Sequence, residues 1–127
     1  MIREKPLVLC IEDDEDLREL LEIQLSAEFE VIFAGDGKEG VRLAIFHRPD
    51  LILTDLMMPN IDGVQASEMI RGVKALHDLP LVALTAAPKP VQEKALKVGC
   101  DMVIEKPALD LPRQLKTFLQ TQKQPNA

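Results

Sequence analysis

Apolar residues along the chain gather in five short, nearly continuous runs, and these runs predict five β-strands. Each run is apolar at almost every position rather than at every second one, which is typical of a parallel strand that helices cover on both faces. The runs are Leu7–Ile11, Val31–Ala34, Leu51–Thr54, Leu81–Leu84 and Met102–Ile104.

The segments that follow these runs repeat their apolar residues every three or four positions, which predicts a helix after each strand. The apolar stripes are Leu17, Leu20, Leu21 and Leu25; Val41, Ala44 and Ile45; Ala66, Met69, Ile70, Val73 and Leu76; Val91, Ala95 and Val98; and Leu111, Leu115, Phe118 and Leu119. Asp36 and Asp62 have the spacing of N-caps, and Gly99 is placed to end the fourth helix. Five strand–helix units predict an α/β fold in which one parallel sheet is doubly wound, with helices on both faces.

Length and composition narrow the class of protein further. The 127 residues suit one domain, and 15 basic against 21 acidic side chains give a net charge of −6, which argues against direct nucleic-acid binding. No apolar run approaches the ~20 residues of a membrane span. Cys10 and Cys100 form no metal-binding or disulfide pattern. We therefore expect a soluble cytoplasmic protein with no direct contact to membranes.

Polar residues gather where the predicted strands end. Because ligands of open α/β sheets bind at the carboxyl ends of the strands, we expect these residues to share one edge. They are Glu12, Asp13 and Asp14 after the first strand, Asp55 after the third, Thr85 after the fourth, and Glu105 and Lys106 after the fifth.

This set of groups suits phosphoryl transfer. Carboxylates at positions 13, 14 and 55 would repel one another unless a hard divalent cation such as Mg²⁺ or Mn²⁺ joined them. A free carboxylate can attack phosphorus while the cation, Lys106 and the Thr85 hydroxyl stabilise the phosphoryl oxygens. Taken singly, each acidic residue is also explained as a helix cap or a solvated turn.

The same residues resemble the motifs of bacterial response regulator receiver domains, over about residues 5–120. The resemblance is carried by Asp13-Asp14, by the segment from Asp55 to Gly63 with Met-Pro inside it, by Thr85-Ala86 and by Lys106-Pro107. It implies a flavodoxin-like, CheY-like (βα)5 fold with strand order 2-1-3-4-5. Residues 121–127 are then a polar, Gln-rich tail or the start of a linker.

The resemblance also implies roles for individual residues. Asp55 would accept a phosphoryl group from a histidine kinase or a histidine phosphotransfer protein. Asp14 and Asp55 would bind Mg²⁺ directly, Asp13 through water, and Met57 through its backbone carbonyl. Thr85 would donate its hydroxyl to the phosphoryl group, Lys106 would pair with it, and the bond to Pro107 would be cis. Such a domain is a conformational switch for a partner or output domain, not a turnover enzyme.

Three departures from the family pattern affect these expectations. Val103 stands where an aromatic residue is usual, so a rotating ring cannot couple Thr85 to the surface formed by the fourth helix, fifth strand and fifth helix. A dimer would form through that surface. Ala108 stands where Phe is common, which thins the packing there. Met57 and Ala87 cannot orient an attacking water, so we predict slow self-dephosphorylation.

Two alternatives stay open at this point. A pseudo-receiver would keep the fold and bind a partner without phosphorylation, as the residues at 103 and 108 suggest. The segment Gly35–Gly40 also matches the GxGxxG fingerprint of dinucleotide-binding oxidoreductases, with Asp55 20 residues after Gly35. That fingerprint belongs after the first strand, however, and here it follows the second.

Overall fold

The computed structural model describes residues 4–58 and 62–123 of the chain. The elements alternate as β1 (Leu7–Ile11), α1 (Glu15–Leu25), β2 (Glu30–Ala34), α2 (Gly37–His47), β3 (Leu51–Thr54), α3 (Gly63–Arg71), β4 (Leu81–Thr85), α4 (Lys89–Val98), β5 (Met102–Glu105) and α5 (Leu111–Lys123). The five strands form one sheet in the order β2-β1-β3-β4-β5, and every pairing is parallel. The α/β fold and its strand order are therefore confirmed.

The register of the sheet brings the strand ends to a common edge. Ile11 at the end of β1 pairs with Ala34 on one side and with Thr54 on the other, while Thr85 pairs with Glu105. The residues that follow β1 and β3 consequently leave the sheet at the same height, while β4 and β5 extend two residues further at the same edge. This placement sets up the site described below.

Alternate strand residues point to opposite faces of the sheet and build two separate cores. One face packs against α2, α3 and α4 through Ala44, Ala66, Ile70 and Ala95, and Val103 lies at its margin. The other face packs against α1 and α5 through Leu21, Leu25, Leu111, Leu115 and Leu119. Both cysteines are free and buried within these cores.

The helices differ in detail from the predicted stripes. The third stripe is divided: α3 ends at Arg71, and Leu76 lies in a 3₁₀ turn, Lys74–Leu76, that Gly72 and Val73 separate from it. Helix α5 runs to Lys123, three residues into the segment predicted as a tail, and residues 124–127 lie outside the described residues. No helix in the described ranges is long and apolar enough to cross a membrane.

The glycines of the GxGxxG segment serve helix packing rather than a nucleotide. A Cβ on Gly40 would lie 2.6 Å from Ile11 Cδ1 on β1, and a Cβ on Gly37 would lie 3.1 Å from the Cα of Ala66 on α3. Asp36 caps α2 by accepting a hydrogen bond from the Glu39 N–H. These contacts explain the motif as the close approach of α2 to the sheet and to α3.

Candidate functional site

Asp55 lies at the centre of the carboxyl edge, directly after β3. Its residue is 8% exposed, so the carboxylate is largely withdrawn from water. Oδ2 lies 3.0 Å from Nζ of Lys106, and Oδ1 accepts a hydrogen bond of 3.0 Å from the Met57 N–H. The structure thus brings the predicted acceptor and the predicted cation together across 51 residues of sequence.

Glu12 directly follows β1, and its carboxyl group lies beside Asp55 and Lys106. It is 3% exposed, and its burial raises its pKa to about 7; a hydrogen bond with the Asp13 side chain and the nearby charge of Asp55 also raise the pKa. A hydrogen bond from the Asp14 backbone N–H and the positive charge of Lys106 act in the opposite direction. Near neutral pH, Glu12 therefore lies close to the midpoint of its titration.

One residue of the predicted acidic pair, Asp13 and Asp14, is engaged by the first turn of α1. Asp14 is the N-cap of α1, and its Oδ1 accepts hydrogen bonds from the backbone N–H groups of Asp16 and Leu17, at 2.8 and 3.1 Å. This carboxylate therefore satisfies the free N–H groups of the first helical turn. On the acceptor side, Glu12 lines a cleft together with Asp55, and the Asp13 side chain hydrogen-bonds to Glu12.

The acidic groups do not form a closed metal cage in the part of the chain that the structure describes. No group of three or more His, Cys, Asp and Glu side chains in these ranges is arranged to hold a metal ion. Asp55 is paired instead with Lys106, and Glu12 with Asp13. Carboxylate oxygens at the ends of adjacent strands nevertheless fit Mg²⁺, which binds through one or two carboxylates and keeps several waters.

Thr85 lies at the end of β4 and is fully buried. Its Oγ1 accepts a hydrogen bond of 3.0 Å from the Ala87 N–H, and its backbone carbonyl accepts one of 2.9 Å from the Lys106 N–H. The bond from Ala87 uses a lone pair of the hydroxyl oxygen and leaves the hydroxyl proton available for donation.

The segment after Asp55 is closed by a glycine that the site requires. A Cβ on Gly63 would overlap the Asp55 carbonyl oxygen and lie 2.6 Å from the Leu56 Cα, so only glycine fits there. Asp62 and Gln65 form a full capping box at the start of α3. Pro59, Asn60 and Ile61, which belong to the same motif, lie outside the described residues. The Lys106–Pro107 peptide bond is cis, the conformation that the resemblance implies.

A cleft of about 380 Å³ opens beside the acceptor, between α1 and the loop that follows β5. Its polar floor includes Glu12, Asp55 and Lys106, and its walls are mostly apolar: Leu17, Leu20, Leu21, Leu84, Pro107 and Ala108. The small side chain of Ala108 lines this space, in agreement with the thinner packing predicted there.

Sequence reasoning assigned no role to two residues near the site. Glu12 could have been found from its apolar surroundings, because a carboxyl group that directly continues a buried strand is withdrawn from water. Gln92 is 8% exposed on α4 and bonds to the loop after Thr85. No local pattern distinguishes it from a solvated glutamine.

Comparisons with known proteins agree with this fold. The response regulator receiver domain family matches residues 8–119. Among curated proteins, the polar-differentiation response regulator DivK of Brucella anthropi is 34% identical over 113 residues, covering 87% of this chain and 91% of DivK.

Solved structures of receiver domains are also similar to this chain. The receiver domain of sensor histidine kinase PA1611 from Pseudomonas aeruginosa, described with a magnesium ion coordinated in its active-site cleft, has a TM-score of 0.79 and 30% identity, covering 92% of this chain and 96% of that one. The chemotaxis protein CheY4 of Vibrio cholerae has a TM-score of 0.79 and 27% identity, covering 92% and 98%. This chain therefore belongs to the response regulator receiver domains of two-component signalling.

Proposed function

We propose that this receiver domain accepts a phosphoryl group on Asp55 from the phosphohistidine of a histidine kinase or phosphotransfer protein. The observation that carries the proposal is the Asp55–Lys106 contact of 3.0 Å at the carboxyl edge, with the buried carboxyl group of Glu12 beside it. An aspartate that is buried, paired with a lysine and reachable from a cleft is placed for reaction rather than for solvation.

In the proposed reaction, a carboxylate oxygen of Asp55 forms a bond to phosphorus while the bond from phosphorus to the imidazole nitrogen of the donor breaks. The freed imidazole leaves with the electron pair of that bond. Lys106 balances the negative charge on the phosphoryl oxygens, and the Thr85 hydroxyl proton is available to one of them.

The carboxylates of Glu12, Asp13 and Asp55 and the backbone carbonyl of Met57 would hold Mg²⁺. When bound, the ion supplies positive charge that offsets repulsion between the carboxylates and the incoming phosphoryl group. Asp14 is left out of this set because its carboxylate caps α1.

We expect the phosphodonor to approach over the cleft. The apolar side chain of Leu20 on its wall is 50% exposed, and Met57 and Leu109 nearby along the chain are 60% and 94% exposed. Exposed apolar residues around a charged centre suit a transient protein contact. A cytoplasmic location and dimerisation through α4, β5 and α5 stay predictions.

The experiment that tests the proposal is the intact mass of the protein after incubation with acetyl phosphate and Mg²⁺. The wild type should gain one labile phosphoryl group, a chelator should prevent the gain, and Asp55→Asn should abolish it. Asp110→Asn is the matched control, because Asp110 lies in an exposed pair with Arg113 at 3.5 Å. An adduct that persists in Asp55→Asn would contradict the proposal. So would no adduct from acetyl phosphate or from a panel of histidine kinases, which would favour a pseudo-receiver.

The aspartyl phosphate should be long-lived, because neither Met57 nor Ala87 carries a polar group to orient water. Met57→Asn combined with Ala87→Glu should shorten its lifetime at least about fivefold by supplying such groups. The lifetime is measured from the decay of the phosphorylated mass after the phosphodonor is removed. An unchanged lifetime in a folded, phosphorylated double variant would contradict this explanation.

A further inference from the structure

Gln92 on α4 has a buried amide that joins two different elements. The residue is 8% exposed, and its Nε2 donates hydrogen bonds of 2.9 Å to the Ala87 carbonyl and 3.2 Å to Oε1 of Glu105. Glu105 Oε1 also lies 2.6 Å from Nζ of Lys89 at the start of α4. We call Ala87, Lys89, Gln92 and Glu105 the Gln92 clamp.

Both ends of the Gln92 clamp lead directly to groups of the acceptor site. The N–H of Ala87 donates to Thr85 Oγ1 at 3.0 Å, so fixing Ala87 also fixes the hydroxyl. Glu105 immediately precedes Lys106, whose Nζ lies on Asp55. One amide group therefore links the loop that carries the hydroxyl to the strand end that carries the cation.

Val103, which stands where an aromatic residue is usual in the family, precedes the clamp residue Glu105 by two positions on β5. Val103 packs against the core with an aliphatic side chain and offers no polar atom to the loop. A buried amide with two acceptors is specific in its geometry, because a shifted loop would leave a carbonyl or an N–H without a partner. The hydrogen bonds from Lys89 and Gln92 also lower the pKa of Glu105, which keeps this acceptor ionised.

We propose that Gln92 is a positioning residue for phosphoryl acceptance, and that it acts through Ala87 to hold the Thr85 hydroxyl in register with Lys106. The proposal rests on the proposed function of Asp55. In this proposal the amide of Gln92, rather than an aromatic ring, couples the acceptor Asp55 to α4.

The test is a double-mutant cycle between Gln92→Met and Thr85→Ala, read as the rate of phosphorylation by acetyl phosphate with Mg²⁺. Gln92→Met keeps the side-chain length and removes both hydrogen bonds; we expect it to slow phosphorylation about fivefold through misplacement of the hydroxyl. Thr85→Ala should slow the reaction about tenfold or more. The double variant should be no slower than Thr85→Ala, since the hydroxyl through which Gln92 acts is already gone. Gln114→Met, on the exposed side of α5, is the matched control and should react like the wild type.

Two results would overturn the positioning role alone: a Gln92→Met protein that reacts at the wild-type rate, or effects of the two substitutions that simply multiply. Multiplying effects would show that Gln92 only stabilises the fold. A wild type that takes up no phosphoryl group would overturn the proposed function as well. If Gln92→Met fails to fold, Gln92→Asn carries the same cycle, because its shorter side chain keeps the amide but cannot reach both acceptors.

Discussion

The two ends of the sheet use charged side chains in opposite ways. At the amino end, the Arg71 guanidinium donates hydrogen bonds to backbone carbonyls and to one carboxylate. Its partners are the carbonyls of Gly99, Leu76, His77 and Leu79, at 2.7 to 3.2 Å, and Asp101 Oδ2 at 3.0 Å. Asp50 and Asp101 accept hydrogen bonds from the N–H groups that begin β1 and β4.

At the carboxyl end, charged groups face one another instead. Asp55 bonds to Lys106, and burial, together with the nearby charge of Asp55, raises the pKa of Glu12. Charges committed to backbone groups hold loops in place, whereas charges that face one another beside a cleft can exchange partners with a ligand. The comparison predicts that substitutions at the amino end change stability, and that substitutions at the carboxyl end change chemistry.

The largest expected effect on stability is that of Arg71→Met. The substitution leaves four carbonyls and Asp101 without their charged donor, so the free energy of unfolding should fall by about 3 kcal/mol. The phosphorylation rate of the folded fraction should stay within about twofold of the wild type. Urea denaturation and the acetyl phosphate assay measure the two quantities. The same substitution at Arg113, which has an exposed pair with Asp110, should cost less than about 0.5 kcal/mol.

Lys106→Met should show the opposite pattern. Loss of the cation beside Asp55 should slow phosphorylation by acetyl phosphate about 100-fold, because the charge on the phosphoryl oxygens is no longer balanced. Lys116→Met is the matched control, since Lys116 pairs with Glu28 at 3.0 Å, two residues before the amino end of β2. A rate for Lys106→Met close to that of the control would contradict the proposed difference between the amino and carboxyl ends of the sheet.

A smaller effect is expected on the pH dependence of Mg²⁺ binding. Because the pKa of Glu12 is about 7, binding of Mg²⁺ displaces a proton at lower pH, and the affinity should be about tenfold weaker at pH 6 than at pH 8. Glu12→Gln should bind Mg²⁺ more weakly and remove most of this dependence. Titration calorimetry in two buffers of different ionisation enthalpy measures both the affinity and the released proton.

The raised pKa of Glu12 also determines whether the stability of the fold rises or falls with pH. The folded state binds the Glu12 proton more tightly than the unfolded chain, so the contribution of this group to stability falls as pH rises from about 4.5 through about 7. Glu12→Gln should therefore flatten the pH profile of the unfolding free energy across that window. A profile parallel to that of the wild type would show that Glu12 is not the titrating group.

The sequence predicted most of the fold because each element carries its own signal. Buried strands such as Leu51–Thr54 are apolar throughout, and Asp62 marks the start of α3 by a capping box. A parallel sheet brings strand ends together whatever the details of packing, so Asp55, Thr85 and Lys106 can be predicted to share one edge. The contact between Asp55 and Lys106 agrees with that reasoning.

The sequence alone does not distinguish helix-capping from metal-binding carboxylates after β1. Aspartate is both a good N-cap and a good Mg²⁺ ligand, so the five consecutive acidic residues 12–16 do not show which one begins the helix. Only the backbone of Asp14, extended with φ −89° and ψ 122°, identifies it as the N-cap of α1. Gln92 was beyond sequence reasoning because its partners lie 5 and 13 residues away and meet only in the folded chain.

The central claim is that Asp55 carries the reactive carboxylate at the functional end of the sheet. Its most direct test is to phosphorylate the protein with acetyl phosphate and Mg²⁺, reduce the acyl phosphate with borohydride, and locate the resulting homoserine by peptide mass spectrometry. The account predicts homoserine at position 55, with no side chain reduced to an alcohol at Glu12, Asp13 or Asp14. Reduction at another position, or an unmodified peptide around Asp55 in protein that carries the phosphoryl mass, would contradict it.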